Sequence, residues 1–282
     1  MTHGDIRSRV VAVASGKGGV GKSTVVASLS LAFSGLGYKT LVIDGDMGLA
    51  NLDLIFGVKP DLNLLDVFDG TSSVEEILCQ VGEKVTLLPG CSGRYDIANL
   101  DDQQRADLFG PVESLSRSYD MILVDTGAGL GSNATGFAGA AETIVLITDP
   151  DPAAIADVYS FIKILAKKHE IKNVYLIPNR VSGARDAEEV FAKVSELAGR
   201  FLGVGVHLLG YINKDPSVAQ ATRRRKPFLE SDPASLASQR LVSIARKIHS
   251  LPADLGVGDS KELFWQKLVG WTKEGGDDVS SE

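Results

Sequence analysis

The sequence predicts an α/β fold, namely a doubly wound, mostly parallel sheet with helices on both faces. Short apolar runs rich in β-branched residues recur between longer helical patterns. Each run is almost continuously hydrophobic and does not alternate, which is typical of strands covered on both faces. The chain has 282 residues, of which 44% are hydrophobic and 23% charged. This length and composition suffice for one α/β core.

The predicted strands and helices alternate along the chain, which indicates the doubly wound arrangement. The predicted strands are VVAVAS from Val10, KTLVID from Lys39, VTLLP from Val85, DMILVD from Asp120, ETIVLIT from Glu142, NVYLIP from Asn173 and a weaker run from Val204. The main predicted helices span residues 21–34, 101–116, 153–168, 184–201 and 235–249. We therefore expect a single domain over residues 1–250.

Helix-breaking residues follow this domain. Pro252, Gly256 and Gly258 predict a linker over residues 251–260. A short amphipathic segment follows at 261–272. The last residues, 273–282, are acidic and glycine-rich, and this composition predicts disorder.

Charge and cysteine usage exclude several function classes. The formal net charge of −7 argues against an extended basic nucleic-acid surface. The only dense basic run, residues 223–226, is either a solvated helix end or a contact for DNA, anionic lipid or a protein partner. Cys79 and Cys91 form no CxxC pair, so no paired-thiolate metal site is predicted. No apolar stretch approaches the ~18 residues of a spanning helix, so we expect a cytoplasmic protein with only peripheral membrane contact.

The segment GKGGVGKST follows the first predicted strand and satisfies the pattern G-x-x-x-x-G-K-[ST] between a strand and a helix. Such a loop curls so that successive N–H groups and the helix N-terminus face phosphate oxygens. Lys22 reaches the β and γ phosphates, and the Ser23 hydroxyl can ligate Mg²⁺. A full match in this register disfavours a chance glycine-rich turn. The predicted nucleotide-binding residues of the loop are Gly16, Lys17, Gly18, Gly19, Val20, Gly21, Lys22, Ser23 and Thr24.

Two other predicted strands end in aspartates. The spacing of Asp44 and Asp46 puts both on the same side of a strand end, in the crevice where open α/β sheets bind ligands. Helix capping is the alternative for both residues. The strand ending in Asp125 resembles a Walker B strand, so we expect Asp125 to hold Mg²⁺ through water. The glycines after it predict a loop that moves when the γ-phosphate leaves. The predicted switch residues are Asp125, Thr126, Gly127, Ala128 and Gly129.

Lys17 is a second lysine that a standard P-loop does not need. With it, the motif resembles the deviant Walker A pattern KGGxGK[ST] of the MinD/ParA superfamily of P-loop ATPases. The resemblance implies that Lys17 crosses a dimer interface to the ATP phosphates of the partner; a solvated surface charge is the alternative. It also implies that Asp46 orients the attacking water and that Asp44 supports Mg²⁺ or the switch. The implied catalytic residues are Lys17, Lys22 and Asp46.

The resemblance also implies ATP and Mg²⁺ as cofactors. Asn179, at the end of NVYLIP, matches the asparagine that contacts the adenine edge in this superfamily. Arg180 beside it is a second candidate, for which an ordinary surface arginine is the alternative. The preference for ATP over GTP follows from the resemblance alone, because no NKxD motif occurs in the corresponding place. Gly127 stands where the superfamily more often has a proline, and this departure removes no ligand.

Several stretches outside these motifs resemble the FlhG family (also called FleN or YlxH), MinD-like regulators of flagellar number and placement. They are GDMGLANLDLIFG from Gly45, LLPGCSG from Leu87, DTGAGLG from Asp125, DPDPAAIADVYSFIKIL from Asp149 and VAQATRRRKPFLESDPASLAS from Val218. The resemblance implies an ATP-dependent homodimer and slow, partner-stimulated hydrolysis. The implied partners are an FlhF-like SRP-type GTPase, a flagellar transcription regulator or a switch-complex protein.

Some members of that family stimulate FlhF through a glutamine-containing N-terminal segment. Only nine residues precede the first predicted strand here, and they show no such segment. This departure argues against activation of FlhF by that route.

The amphipathic segment 261–272 carries both tryptophans of the chain. On a helical wheel its apolar residues fall within roughly a 160° arc, with lysines and glutamates opposite. Such a face beyond a linker predicts an interfacial anchor on the inner face of the cytoplasmic membrane, like the C-terminal helix of MinD and FlhG proteins. A helix docked on the domain's own core is the alternative. The predicted membrane residues are Phe264, Trp265, Leu268, Val269 and Trp271.

Three other functions share parts of this pattern. A ParA-type DNA-partitioning ATPase would need ATP-dependent DNA binding through residues 223–225, which the acidic net charge disfavours. A MinD-type division-site regulator would differ in its partner. An iron–sulfur carrier of the same superfamily is disfavoured by the lack of a CxxC motif.

Overall fold

The structure is a computed structural model, and it describes residues 9–46, 50–90, 102–252 and 260–270. Its strands are β1 (Arg9–Ser15), β2 (Thr40–Gly45), β3 (Cys79–Gly82), β4 (Val85–Leu88), β5 (Met121–Ala128), β6 (Thr143–Thr148), β7 (Asn173–Pro178) and β8 (Gly205–Leu208). They form an eight-stranded sheet in the order β3-β4-β2-β5-β1-β6-β7-β8. The edge strand β3 is antiparallel to β4, and the other neighbouring pairs are parallel.

Helices cover both faces of this sheet. They are α1 (Lys22–Gly35), α2 (Leu52–Phe56), α3 (Leu64–Phe68), α4 (Asp102–Ser116), α5 (Ser132–Ala140), α6 (Pro152–Lys168), α7 (Ala184–Leu202), α8 (Pro216–Arg223), α9 (Phe228–Ser231), α10 (Leu236–Ser250) and α11 (Ser260–Gly270). The predicted fold class is therefore confirmed, and all seven predicted strands occur in the sheet.

Strand β1 lies between β5 and β6 and is buried along its entire length. Because side chains alternate along a strand, β1 contributes to two separate cores. Val10 and Ala12 belong to the cluster under α4, α5, α6, α7 and α11, whereas Val11 and Val13 belong to the cluster under α1, α9 and α10. The loop after β1 therefore leaves from the rigid centre of the sheet.

The sequence analysis missed the short elements. Strand β3 (CQVG) has four residues, all of them at least partly exposed, so it lacks the continuous apolar run of a buried strand. Helices α2, α3 and α9 have four or five residues, too few to show a helical period. Helix α5 (SNATGFAGA) is built mainly from small residues that are buried on most sides, so it shows no amphipathic stripe either.

The C-terminal helix α11 is docked on the protein's own core. Phe264, Trp265 and Leu268 are at most 4% exposed and pack with residues of α4, α5 and β1. The Trp265 ring lies 5.9 Å from that of Phe109, and its Nε1 donates to Ser116 Oγ at 3.1 Å. The face that was predicted to enter a membrane is therefore buried inside the protein in this arrangement, which is the alternative that the sequence left open.

Polar contacts fix the same helix at its N-terminal end. The Lys261 ammonium is only 3% exposed and donates to the carbonyls of Ser116 at 3.0 Å and Tyr119 at 2.6 Å. It thereby fixes α11 to the turn that follows α4. Ser260 hydrogen-bonds the carboxylate of Glu142.

Parts of the predicted C-terminal region cannot be compared with the structure. The side chain of Val269, Trp271, most of the predicted linker and the tail 273–282 lie outside the described residues. Within the described part of the chain, no helix is both long and apolar enough to cross a membrane.

Replacing Trp265 with Ala should lower the free energy of unfolding by about 3–5 kcal/mol, because it removes a buried aromatic ring and leaves a cavity. Urea denaturation of the nucleotide-free protein measures this loss. Gln266→Ala is the matched control, since Gln266 is exposed on the same helix, and it should stay within about 0.5 kcal/mol of the wild type. Equal stabilities of the two variants would contradict the docked arrangement.

Candidate nucleotide-binding site

The P-loop connects the end of β1 to the start of α1. Gly19 and Gly21 adopt left-handed backbone conformations, with φ of 81° and 94°, which L side chains rarely adopt. No side chain caps the N-terminus of α1, so its first N–H groups are available to an anion. A Cβ on Gly16 would lie 2.3 Å from the backbone of Asp157 in α6. The loop is therefore held closely between α1 and α6.

Lys22 and Asp125 form a buried ion pair across the site, and both side chains are at most 7% exposed. Burial raises the pKa of Asp125, and the neighbouring Lys22 ammonium opposes this shift. The Ser23 hydroxyl lies 3.4 Å from Lys22 Nζ, and its proximity to Asp125 also opposes the rise in the pKa of that carboxyl. The predicted phosphate lysine and two of the three predicted metal ligands, Ser23 and Asp125, are thus brought together.

The remaining oxygen of this pair indicates how a metal ion would fit. Asp125 Oδ2 is buried without a hydrogen-bond partner. A carboxylate oxygen left in this way beside the Ser23 hydroxyl suits Mg²⁺, which prefers oxygen ligands. In the part of the chain that the structure describes, no cluster of three or more His, Cys, Asp or Glu residues could hold a metal ion.

Asp44 lies beside Asp125, because the register of β2 and β5 makes these residues direct neighbours. Its carboxylate accepts N–H groups from Asp46 at 3.2 Å and from Asn51 and Leu52 at 3.0 Å. Burial and then the nearby Asp125 charge raise the pKa of Asp44 to about 7. Asp44 thus organises the chain entering α2, whose N-cap residue is Asn51, from a position beside Asp125.

Asp46 follows β2 and faces the predicted switch. A Cβ on Gly127 would lie 3.7 Å from Asp46 Oδ1. The side chain of Asp46 is partly exposed, unlike those of Asp44 and Asp125. This position at the open side of the crevice is compatible with contact to a water molecule and a terminal phosphate.

The predicted switch residues lie at the end of β5 and directly after it. Residues 125–128 belong to β5, because Ala128 still pairs with Ser15 of β1. Gly129, with a left-handed φ of 87°, donates its N–H to the Ser15 carbonyl at 3.1 Å. Strand β5 therefore extends through the first four predicted switch residues, and its pairing with β1 shifts register between Asp125 and Ala128.

Lys17 does not point into its own phosphate site. Its Nζ contacts Asp151 Oδ2 at 2.8 Å, and both side chains are partly exposed, at 38% and 49%. The other Asp151 oxygen accepts the N–H of Ala153 and so caps α6. The sequence analysis missed Asp151 as a partner of Lys17, although an aspartate before Pro152 at a helix start signals an N-cap.

Asn179 borders the P-loop. Its amide is 7% exposed, donates to the Val20 carbonyl at 2.7 Å and accepts the N–H of Arg180 at 2.9 Å. Arg180 has a left-handed φ of 57°, and its guanidinium lies 3.9 Å from Asp149. Both residues therefore lie beside the phosphate loop, and the observed role of Asn179 is to brace that loop. One amide hydrogen and one carbonyl lone pair of Asn179 stay available to a base.

The fold and this site together define a P-loop nucleotide-binding protein. A central parallel strand leads into an uncapped helix N-terminus. A buried lysine and a buried strand-end aspartate stand directly beside it.

The CobQ/CobB/MinD/ParA nucleotide binding domain matches residues 11–228, and the chain belongs to this family. The Antiactivator FleN of Pseudomonas aeruginosa is 33% identical over 261 residues, which cover 93% of this chain and 93% of FleN. The flagellum site-determining protein YlxH of Helicobacter pylori is 36% identical over 239 residues, which cover 84% and 81% of the two chains.

Solved structures agree with this assignment. The septum site-determining protein MinD of Pyrococcus horikoshii, complexed with Mg-ADP, superposes with a TM-score of 0.71 at 29% identity. The match covers 86% of this chain and 96% of that MinD. The cell division ATPase MinD of Pyrococcus furiosus gives a TM-score of 0.71 at 30% identity, covering 87% and 100% of the two chains. The resemblance to the MinD/ParA and FlhG families is thereby confirmed.

Proposed function

We propose that the chain is an ATP-binding and ATP-hydrolysing dimerisation switch that regulates flagellar number and placement through reversible membrane and partner binding. The observation that carries the proposal is that the two P-loop lysines contact different groups. Lys22 is buried in its own phosphate site, whereas Lys17 is turned outward onto Asp151. The flagellar output is supported by the relatives FleN and YlxH, each aligned over most of this chain.

Binding of a triphosphate would exchange partners inside the pocket. The Lys22 ammonium would move from Asp125 to phosphate oxygens, which are also anionic and lie over the start of α1. This exchange frees Asp125, which with Ser23 would hold Mg²⁺. Bound Mg²⁺ would neutralise phosphate charge during hydrolysis. Asp46 would orient the attacking water from the open side of the crevice.

Dimerisation would use the outward lysine. Lys17 must leave Asp151 before it can reach the nucleotide of a partner chain. Water screens an exposed ion pair of this kind, so it contributes little to stability, and a triphosphate with several negative charges can displace it. The Lys17–Asp151 pair therefore opposes the dimer only weakly when ATP is absent.

Membrane association would require α11 to leave its position on the core, since its apolar face is buried in this arrangement. Each protomer of a dimer would supply one weak anchor, and two linked anchors bind far better than one. The candidate partners are an FlhF-like GTPase, a flagellar transcription regulator or a switch-complex protein. A MinD-type division-site regulator and a ParA-type DNA-partitioning ATPase are the alternatives, and they differ in what the dimer binds.

Light scattering of the purified protein with ADP and with ATP tests the switch. ATP should produce a dimer, Lys17→Ala should abolish it because the crossing ammonium is lost, and Asp46→Ala should prolong it because hydrolysis is slowed. Lys193→Ala, an exposed lysine on α7, controls for the loss of one positive charge. A protein that stays monomeric in ATP throughout would refute the dimer mechanism.

Asp151→Ser should lower the ATP concentration for half-maximal dimerisation by about two- to five-fold, the range expected for an exposed ion pair. Serine keeps a good N-cap for α6 while removing the carboxylate that holds Lys17. Glu188→Ala on α7 removes one exposed carboxylate elsewhere and should leave the midpoint unchanged. A midpoint that rises in Asp151→Ser would mean that Asp151 supports the dimer and does not restrain Lys17.

The output is tested by binding to anionic vesicles and to plain double-stranded DNA, each in ADP and in ATP. Vesicle binding only in ATP is expected, whereas ATP-dependent DNA binding that is lost on neutralising residues 223–225 would favour DNA partitioning. In cells of the source organism, Lys22→Ala should change the number or position of flagella. Wild-type flagellation together with misplaced division septa would favour the MinD-type alternative.

A further inference from the structure

Two loops at the carboxyl edge of the sheet are joined into one wall beside the P-loop. They are residues 179–183 after β7 and residues 209–215 after β8. A parallel bridge pairs Val181 with Asn213, and Lys214 donates its N–H to the Val181 carbonyl at 2.9 Å. Because Asn179 also contacts Val20, this wall begins directly next to the phosphate-binding backbone.

Arg240 of α10 contacts two residues of the loop after β8. Arg240 Nε donates to Asn213 Oδ1 at 2.7 Å, and its guanidinium carbon lies 3.9 Å from the centre of the Tyr211 ring. Asn213 Nδ2 in turn donates to the Ser182 carbonyl at 3.3 Å. Since an amide oxygen only accepts and its nitrogen only donates, the Arg240 contact fixes which way Asn213 faces. Arg240 therefore links α10 to both loops of the wall.

The Arg240 guanidinium contacts an amide and an aromatic ring. Some other surface cations pair with carboxylates one helical turn away, as Arg185 does with Glu189 and Lys226 with Glu230. Among the described residues, no carboxylate lies within ion-pair distance of Arg240, whose contacts are the Asn213 amide and the Tyr211 ring. A planar guanidinium can stack on a ring while donating in its plane, and a lysine cannot do both.

The start of α10 is itself anchored to this wall. Asp215 caps α8 by accepting the N–H of Ser217 at 2.9 Å, and its other oxygen lies 3.3 Å from the N–H of Ala237 in the first turn of α10. The distance between Arg240 and the loop after β8 is thus set from two sides.

We propose that Arg240 is a positioning residue for the base of the nucleotide. It holds Tyr211 and Asn213 so that the loop after β8, with Asn179 and Arg180, forms the wall along which a purine lies once its phosphates occupy the P-loop. The inference rests on the proposed ATP site, because ligands of open α/β sheets bind at these strand ends. Polar loop groups select a base only if they are held in place, since a misplaced donor or acceptor leaves one group unpaired.

Calorimetric titration of Arg240→Ala with Mg-ATP, Mg-ADP and Mg-tripolyphosphate tests the proposal, because tripolyphosphate has no base. Arg240→Ala should weaken the binding of ATP and ADP by about ten- to a hundred-fold, the range for loss of a charged hydrogen bond. Tripolyphosphate should change by less than two-fold. The affinity of Arg240→Lys for ATP and ADP should lie between those of the wild type and Arg240→Ala. Arg246 is an exposed arginine on the same helix without a described partner, and Arg246→Ala should bind both nucleotides like the wild type.

Asn213→Ala provides a second, independent variant. It should lower the affinity for ATP as much as Arg240→Ala does and leave the affinity for tripolyphosphate unchanged. The double variant with Arg240→Ala should bind ATP no more weakly than either single variant. If Arg240→Ala fails to fold, Asn213→Ala alone decides the question. Equal losses for ATP and tripolyphosphate, or an Arg240→Ala protein that behaves like Arg246→Ala, would overturn the proposal. A wild-type protein that binds neither ATP nor ADP would instead refute the proposed function.

Discussion

The buried ion pair between Lys22 and Asp125 is the contact on which the site depends. Lys22 starts α1 and Asp125 lies near the end of β5, so the pair joins the phosphate loop to the neighbouring strand. Removing either partner would leave a buried charge uncompensated, at a cost of several kcal/mol. The pair therefore sets how the P-loop sits on the sheet. It also keeps both groups in place for a ligand that can separate them, since phosphate can replace the carboxylate on Lys22 and a metal ion can replace the ammonium on Asp125.

The two neighbouring carboxylates give this pocket an excess of negative potential that the single buried lysine only partly balances. Burial and the proximity of Asp125 raise the pKa of Asp44 to about 7, so ionising both carboxylates at once is unfavourable without a further cation. This electrostatic constraint agrees with a site that takes its anionic ligand together with a divalent ion. The other lysine of the loop, Lys17, pairs with Asp151 and does not neutralise these carboxylates. A dimer switch requires this separation of the two lysines.

Helix α11 packs its apolar face on the protein's own core. Its apolar residues fill the core between α4 and α5, and its buried lysine satisfies carbonyls at the end of α4. Helix α5 itself begins three residues after Gly129, where β5 has just ended. The segment after β5 therefore leads directly into a helix that α11 contacts. Membrane binding through α11 would exchange protein contacts for lipid contacts of similar apolar character.

The sequence by itself determined the features that depend on local patterns. Continuous apolar runs identified seven strands of a mostly parallel sheet, the P-loop motif located the phosphate site, and aspartates at strand ends marked Asp44, Asp46 and Asp125 as its neighbours. Only the tertiary structure decided contacts between distant residues, such as Lys17 with Asp151, 134 positions away, or Arg240 with Asn213. It also decided that the apolar face of α11 lies on the core. An amphipathic period is the same for a helix on protein as on lipid, and a strand pattern does not say which strands are neighbours, because both depend on packing between segments that are far apart in the chain.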